Sequence, residues 1–202
     1  MKPWPVSVRT GRARASAVTF LYLLPNPAAA HDAFGDLGPF YASLLHPLAD
    51  PLQASLLIGI AAFVAQQSLA FARIALPLFL AGAALAAGAS LAAVPLILSP
   101  LIAALMAVVA GLTAMVPGVV RPKAVAFVLV GAAGGATGLA PGALEGAGAL
   151  QALLGTIGGI AALALLVWYG LEAMTRHLSP LAPKVAGSWV AAVGILVAAF
   201  AV

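Results

Sequence analysis

The residues best suited to metal chemistry are concentrated in one short stretch of the 202-residue chain, residues 31–50. Two of the three histidines and three of the five acidic residues lie there. They are His31, Asp32, Asp36, His46 and Asp50. Imidazole nitrogens and carboxylate oxygens are ligands that divalent transition metals accept in proteins. The stretch therefore predicts a site that captures a divalent metal ion.

The spacing of His46 and Asp50 gives such a site a specific geometry. If Pro47 begins a helix, as its fixed φ angle favours, the two side chains lie one helical turn apart and can share a metal ion. The alternative is that Asp50, like Asp36, lies at a helix N-terminus, where a carboxylate caps free N–H groups and interacts favourably with the helix dipole. The sequence leaves both interpretations open.

The first 30 residues have the features of a cleaved signal peptide. Three arginines precede a short apolar stretch, and Ala28 and Ala30 form the small-x-small pattern that signal peptidases accept. The alternative is an uncleaved amphipathic or re-entrant N-terminus. Cleavage after Ala30 would make His31 the first residue, so that its α-amine and its imidazole can chelate one metal ion. The opposing interpretation is that any residue can follow a cleavage site.

The composition excludes a water-soluble domain. The chain is 64% hydrophobic and 7% charged, whereas soluble domains carry about 25% charged residues. After residue 30 the basic and acidic residues balance, so no basic patch for nucleic acid remains. The absence of cysteine excludes disulfides, thiolate metal sites and cysteine nucleophiles. We therefore expect an all-α polytopic membrane protein.

Six apolar segments approach the length of about 20 residues that a membrane-spanning helix needs. They cover residues 51–71, 74–94, 100–120, 124–143, 150–171 and 185–202. Because all connections are short, we expect one integral membrane domain, residues 31–202, in which six transmembrane helices form a bundle. Glycine pairs at GxxxG spacing predict close helix packing, and the alternative is a loosened segment that lines a pathway. The pairs are Gly131 and Gly135, Gly134 and Gly138, and Gly155 and Gly159.

The charges in the loops predict the orientation of these spans. With the mature N-terminus outside, five basic residues fall inside, as the positive-inside rule requires, and both termini lie on the outer (periplasmic) side. Glu172 breaks the sign pattern, but it precedes Arg176 by four residues, a spacing that allows an ion pair. The five basic residues are Arg73, Arg121, Lys123, Arg176 and Lys184.

Few polar side chains within the spans are suited to ligating an ion. Gln66, Gln67, Thr113 and Thr137 are the candidates for a path of neutral ligands, and interhelical hydrogen bonding is the alternative role of the two glutamines. No ionisable residue falls at the centre of a predicted span, which disfavours a proton-coupled pump. Because neither a catalytic triad nor a phosphate-binding loop is recognisable, we expect no enzyme and no resident cofactor.

The sequence resembles the HupE/UreJ family of bacterial membrane proteins, which are associated with hydrogenase and urease clusters and regarded as nickel or cobalt permeases. The resemblance covers the signal peptide, the mature N-terminal His31 and the six spans. Its local match runs from Phe34 to Leu48 and includes His46-Pro47-Leu48. The resemblance implies that His31 and His46 occupy positions implicated in metal handling.

The sequence departs from the family pattern at two places. The first-span signature of the family continues His-Pro-x-x-Gly-x-Asp-His, and here Leu52 and Gln53 replace its Asp and second His. The fourth span of the family carries a His-Gly-x-Ala-His-Gly type motif, and the equivalent run, residues 131–138, contains no histidine. Neutral residues thus replace the inner metal ligands of the family.

Three functions follow from these observations. The resemblance and the clustered His and Asp residues favour a permease for Ni²⁺ or Co²⁺ in the bacterial inner membrane, with an outer capture site. The alternative is a non-transporting scaffold or assembly protein that docks on a larger membrane complex. The third is transport of an uncharged solute. The expected partners are the lipid bilayer and a second copy of the chain or another membrane protein, with no nucleic acid.

Overall fold

The computed structural model describes residues 37–91, 98–116, 118, 123–139 and 146–201, and every regular element in them is a helix. The predicted all-α class is therefore confirmed for this part of the chain. Residues 1–36, which include the predicted signal peptide, lie outside the described residues. The helices are α1 (Gly38–Ala49), α2 (Pro51–Ala65), α3 (Leu69–Leu91), α4 (Pro100–Met115), α5 (Lys123–Leu139), α6 (Ala149–His177) and α7 (Ala182–Phe200).

Three of these helices, α3, α6 and α7, are long and apolar enough to cross a membrane. The pair α1 and α2 passes the same test when the two are taken together, although they are bent by 70° relative to each other. Helices α4 and α5 are also apolar but have 16 and 17 residues. By length and composition the described residues thus supply three or four spans, and the six-span topology stays a prediction.

Helix α2 lies at the centre of the bundle. It contacts α4, α6, α7 and α5, and eleven of its fifteen residues are buried. A helix that is surrounded by other helices has no polar face, which explains why α2 is apolar around its whole circumference. Near its C-terminus, Phe63 packs edge-on against Phe71, with ring centroids 5.9 Å apart, and Phe71 stacks on Phe127 at 4.7 Å.

The end of α2 shows how the first predicted span, 51–71, is divided. The helix ends at Ala65, and α3 begins at Leu69. Gln66 is the C-cap residue of α2, and its N–H donates to the carbonyl of Phe63 at 3.2 Å. The hydroxyl of Ser68 accepts a hydrogen bond from the N–H of Phe71 at 3.3 Å, which supports the first turn of α3. Polar residues 66–68 therefore form the turn between the two helices.

Glycines set the relative directions of α3 and α5. A Cβ atom added at Gly134 would overlap the backbone of Phe79, and one added at Gly138 would overlap that of Ala83. Residue numbers rise together on the two helices, so α3 and α5 are parallel. Such close backbone contact is the role that GxxxG spacing predicts in membrane helices.

The same reasoning places α1 beside α6 and α4 beside α7. Gly155 and Gly159 of α6 face the backbone carbonyls of Phe40 and Leu44, so α1 and α6 are parallel. Helices α4 and α7 are antiparallel. Gly194, near the end of α7, lies against Ala104 in the first half of α4, and Gly187, in the first half of α7, lies against Gly111 and Met115 near the end of α4. In a polytopic helical bundle successive spans run in alternating directions, and these helix pairs are consistent with that order.

The predicted ion pair on α6 is confirmed. Arg176 Nη2 lies 2.5 Å from Glu172 Oε1. The Arg176 side chain is 64% exposed, so the pair contributes on the order of a few tenths of a kcal/mol to the free energy of unfolding. The pair neutralises the one acidic residue that breaks the charge pattern of the predicted inner loops.

Candidate functional site

The break between α1 and α2 is the principal irregularity in the bundle. Pro47 lies inside α1, so the condition that Pro47 begins a helix is not met. It is Pro51 that begins α2, as its fixed φ favours. Asp50 between the two helices has an extended backbone, with φ −93° and ψ 109°. A residue that precedes proline is driven out of the helical region, which explains why α1 ends at Ala49.

Asp50 is the N-cap residue of α2. Its Oδ1 atom accepts hydrogen bonds from the N–H of Leu52 at 2.8 Å and from the N–H of Gln53 at 3.2 Å. The capping alternative is therefore observed for this residue. Asp50 is also the C-cap residue of α1, and its N–H donates to the His46 carbonyl at 3.1 Å, so the two residues lie one turn apart at the end of α1. Their role as metal ligands stays a prediction.

A chain of hydrogen bonds connects this break to α5. The Nδ1 atom of His46 lies 3.1 Å from Oε1 of Gln53, and Nε2 of Gln53 donates to the carbonyl oxygen of Thr137 at 2.7 Å. Because an amide oxygen only accepts hydrogen bonds, the bond from His46 requires a proton on Nδ1. Gln53 is 1% exposed. The chain His46–Gln53–Thr137 thus joins α1, α2 and α5 through buried polar groups.

The break lies beside the C-terminal part of α5. Thr137, whose carbonyl accepts the bond from Gln53, is next to Gly138, which packs against Ala83 of α3, and α5 ends two residues after Thr137.

Gln66, the first pathway candidate, forms hydrogen bonds between helices. Its Nε2 atom donates to the carbonyl oxygen of Ala62 at 3.0 Å and to that of Ala114 on α4 at 2.7 Å. This is the alternative role that the sequence left open for the glutamines. The neighbouring Gln67 is half-buried, and its backbone N–H donates to the carbonyl of Val64.

The two threonines in the predicted path are buried and bond within their own helices. Thr113 donates to the carbonyl of Ala110 at 2.8 Å, and Thr137 donates to that of Ala133 at 2.7 Å. A hydroxyl that donates to its own helix still has lone pairs with which it can accept a hydrogen bond or contact a cation. The structure therefore places these groups in the core without showing them as ligands.

Of the five residues in the predicted capture site, the structure describes His46 and Asp50. His31, Asp32 and Asp36 lie outside the described residues. Among the residues that the structure describes, no group of three or more His, Cys, Asp or Glu side chains is arranged to hold a metal ion. The five-residue capture site therefore stays a prediction.

One buried hydroxyl was missed by the sequence analysis. Thr156 of α6 is 0% exposed, and its Oγ1 atom has no hydrogen-bond partner. The usual bond of a helical threonine, to the carbonyl four residues earlier, is not made. The signal for this position was a single hydroxyl beside the glycine pair Gly155 and Gly159, within the otherwise apolar stretch 152–168.

Comparison with known proteins agrees with this architecture. A family described as HupE / UreJ protein matches residues 19–197, nearly the whole chain. The chain belongs to the HupE/UreJ family. No curated protein and no solved structure matches it.

The two departures of this HupE/UreJ protein from its family pattern meet in space. By the resemblance described above, Gln53 corresponds to the second histidine of the first-span signature, and Thr137 belongs to the run that corresponds to the fourth-span motif. The hydrogen bond from Gln53 to the Thr137 carbonyl joins them directly. Where the resemblance implies charged or imidazole ligands on both helices, this chain has an amide and a backbone carbonyl.

Removing this contact should destabilise the fold. Gln53→Leu keeps a similar volume but leaves the His46 ring N–H and the Thr137 carbonyl without the Gln53 amide. We expect the free energy of unfolding to fall by about 2 kcal/mol, since buried polar groups lose their partner. Denaturant titration of the detergent-solubilised protein measures the change.

Gln67→Leu is the matched control for this substitution. Among the described residues the Gln67 side chain makes no recorded hydrogen bond, so its replacement should change the free energy of unfolding by less than about 0.5 kcal/mol. Equal losses in the two variants would contradict a structural role for the His46–Gln53–Thr137 chain.

Proposed function

We propose that this HupE/UreJ protein is a bacterial inner-membrane permease for a divalent metal ion, nickel or cobalt. Its family membership over residues 19–197 carries the proposal, since the family is associated with nickel or cobalt transport. The ion is captured on the outer face by imidazole and carboxylate groups. The proposed capture residues are His31, Asp32, Asp36, His46 and Asp50.

The helix break supports this proposal. Irregular backbone at membrane depth is tolerated where it is buried in protein or lines a water-filled cavity. Transporters commonly place substrate sites at such discontinuous helices. His46 lies at the break, and imidazole is a ligand suited to nickel and cobalt. An ion that arrives from the outer residues would therefore meet His46 at this break.

Passage beyond the break requires a change of conformation. From Leu56 to Ala65, α2 is apolar, and Phe63, Phe71 and Phe127 pack together near its end. A hydrated divalent ion cannot cross such a region without a large desolvation penalty. Transport then requires α2, α3 and α5 to separate at this end while the break closes, as alternating access implies.

A second function is favoured by the replaced family ligands. Gln53 and the histidine-free run 131–138 are neutral, and Gln53 is held in hydrogen bonds within the bundle. A protein that has kept the scaffold and lost transport would serve as a membrane scaffold or assembly protein on a larger complex. Copurification of a stable membrane partner is the observation that would favour it.

Metal accumulation tests the permease directly. Cells that lack their own nickel and cobalt importers are grown with either metal, with and without this protein, and their metal content is measured. We expect a severalfold higher content in cells that contain the protein. An unchanged content, with the protein verified in the membrane, would contradict the permease and favour the scaffold function.

A further inference from the structure

The direction of the hydrogen bonds around Gln53 follows from one backbone carbonyl. Thr137 lies in the last turn of α5, and the residue four positions later is Pro141, which has no N–H that could donate to the Thr137 carbonyl. That carbonyl accepts instead from Gln53 Nε2 at 2.7 Å. Because a carbonyl oxygen cannot donate, the NH₂ end of the Gln53 amide must face Thr137, and the amide oxygen must point the other way.

The oxygen end of this amide faces His46. The Nδ1 atom of His46 lies 3.1 Å from Gln53 Oε1, and an amide oxygen only accepts hydrogen bonds. In the neutral ring the proton must therefore be on Nδ1, and the lone pair is then on Nε2. Gln53 is 1% exposed, so bulk water does not compete for its oxygen. The buried amide thus fixes which nitrogen of His46 is basic.

The tautomer of a histidine decides which of its atoms can bind a metal ion. A transition metal binds the lone pair of a neutral imidazole, and the other ring nitrogen of such a histidine commonly donates its proton to a polar partner that orients the ring. His46 with a proton on Nδ1 has this arrangement, and Gln53 is the partner. Without Gln53 the proton would distribute between both nitrogens, and only part of the protein would have a lone pair on Nε2.

We propose that Gln53 is a positioning residue for metal binding: it keeps the His46 proton on Nδ1, so that Nε2 binds the nickel or cobalt ion. This inference rests on the proposed function, which supplies the ion. Gln53 itself does not touch the metal, because both polar ends of its amide are bonded within the bundle. The residue that corresponds to a histidine in the family pattern therefore acts through His46 rather than as a ligand.

The tautomer of His46 can be measured in the purified full-length protein, in detergent and without metal. Long-range nitrogen–proton correlation spectra of protein with nitrogen-15 labelled histidine distinguish a ring nitrogen that carries a proton from one that does not. The spectra are recorded at a pH of about 8, where imidazole is neutral, and the signals that disappear in His46→Ala belong to His46. We expect a protonated Nδ1 and an unprotonated Nε2. The opposite tautomer overturns the inference.

Gln53→Leu tests whether the amide controls the tautomer. We expect the His46 proton to distribute between both nitrogens in this variant. Gln66→Leu is the matched control, because Gln66 also donates from its amide to a carbonyl of a neighbouring helix, that of Ala114 at 2.7 Å. Its replacement should leave the His46 tautomer unchanged. An unchanged tautomer in Gln53→Leu, or an equal change in both variants, overturns the inference.

Nickel affinity tests the consequence for the metal. Equilibrium dialysis of Ni²⁺ against the detergent-solubilised protein gives the dissociation constant, and circular dichroism verifies that each variant is folded. We expect Gln53→Leu to bind Ni²⁺ about tenfold more weakly, since loss of the partner that orients a metal-binding histidine typically costs 10- to 100-fold in affinity. An affinity equal to that of the unsubstituted protein overturns the inference.

The tautomer is read without metal and without transport, so this inference and the permease can fail separately. Accumulation of metal by a protein whose His46 carries its proton on Nε2 would support the permease and overturn the role of Gln53. A proton on Nδ1 that depends on Gln53, in a protein that accumulates no metal, would contradict the permease and support control of the tautomer by Gln53.

Discussion

Replacing His46 or Asp50 with alanine should abolish the accumulation of nickel and cobalt. His46 lies at the break within the bundle, and Asp50 is the carboxylate at that break. Loss of either removes a proposed ligand from the capture site, and a metal ion that has lost ligands enters the bundle less readily. Cellular metal content, normalised to the amount of protein in the membrane, measures the effect. Glu145→Ala, in a different predicted outer loop, should leave accumulation unchanged.

The two roles of Asp50 can be separated. Asparagine caps a helix about as well as aspartate, whereas alanine does not and costs about 1 kcal/mol of stability. We therefore expect Asp50→Ala to lower both stability and uptake, and Asp50→Asn to lower uptake alone. Uptake that survives in Asp50→Asn would identify the residue as a cap rather than a ligand. Uptake that survives in both His46→Ala and Asp50→Ala would contradict the capture site.

The helical class and several packing contacts could be predicted from the sequence because they depend on local patterns. Apolar composition alone requires helices, and GxxxG spacing predicted that Gly134 and Gly138 lie at a close helix contact. The ion pair of Glu172 with Arg176 follows from the geometry of one helical turn. Each of these inferences needs only residues that are close in the chain.

The helix break could not be predicted in the same way. The first span was predicted to begin at residue 51, but hydropathy counts apolar side chains and gives no information on whether a bent helix precedes that residue. Pro47 and Pro51 also impose the same φ restriction. The two prolines differ in the residue that precedes each of them. Asp50 can cap two N–H groups from its side chain, as observed, and His46 cannot.

The polar chain at the site depends on contacts between distant residues. Gln53 and Thr137 are 84 residues apart, and their hydrogen bond depends on how α5 packs against α2. From the sequence, Gln53 replaces a histidine of the family pattern, and residues 131–138 lack the histidines of the fourth-span motif. In the structure these two changes form one contact. An amide that already bonds His46 and Thr137 stabilises the bundle and has little capacity left to bind a metal.

Alanine at Gly134 should damage the bundle more than most single substitutions in the membrane helices. Its Cβ atom would overlap the backbone carbonyl of Phe79 on α3, and a backbone cannot move aside as a side chain can. We expect a loss of about 3 kcal/mol in the free energy of unfolding, near the upper end for overpacking. Metal uptake should fall as well, because displacement of α5 pulls Thr137 away from Gln53.

Gly88→Ala, in α3 itself, is the matched control for this prediction. A Cβ atom at Gly88 meets nothing within 4 Å, and alanine is the better helix former by about 1 kcal/mol, so this variant should be neutral or slightly more stable. Thermal denaturation midpoints of the purified variants, together with uptake in cells, measure both effects. Because the two substitutions add the same methyl group, equal midpoints would contradict the close backbone contact between α3 and α5. A low midpoint for Gly134→Ala alone would show that this contact holds α5, and with it Thr137, at the helix break.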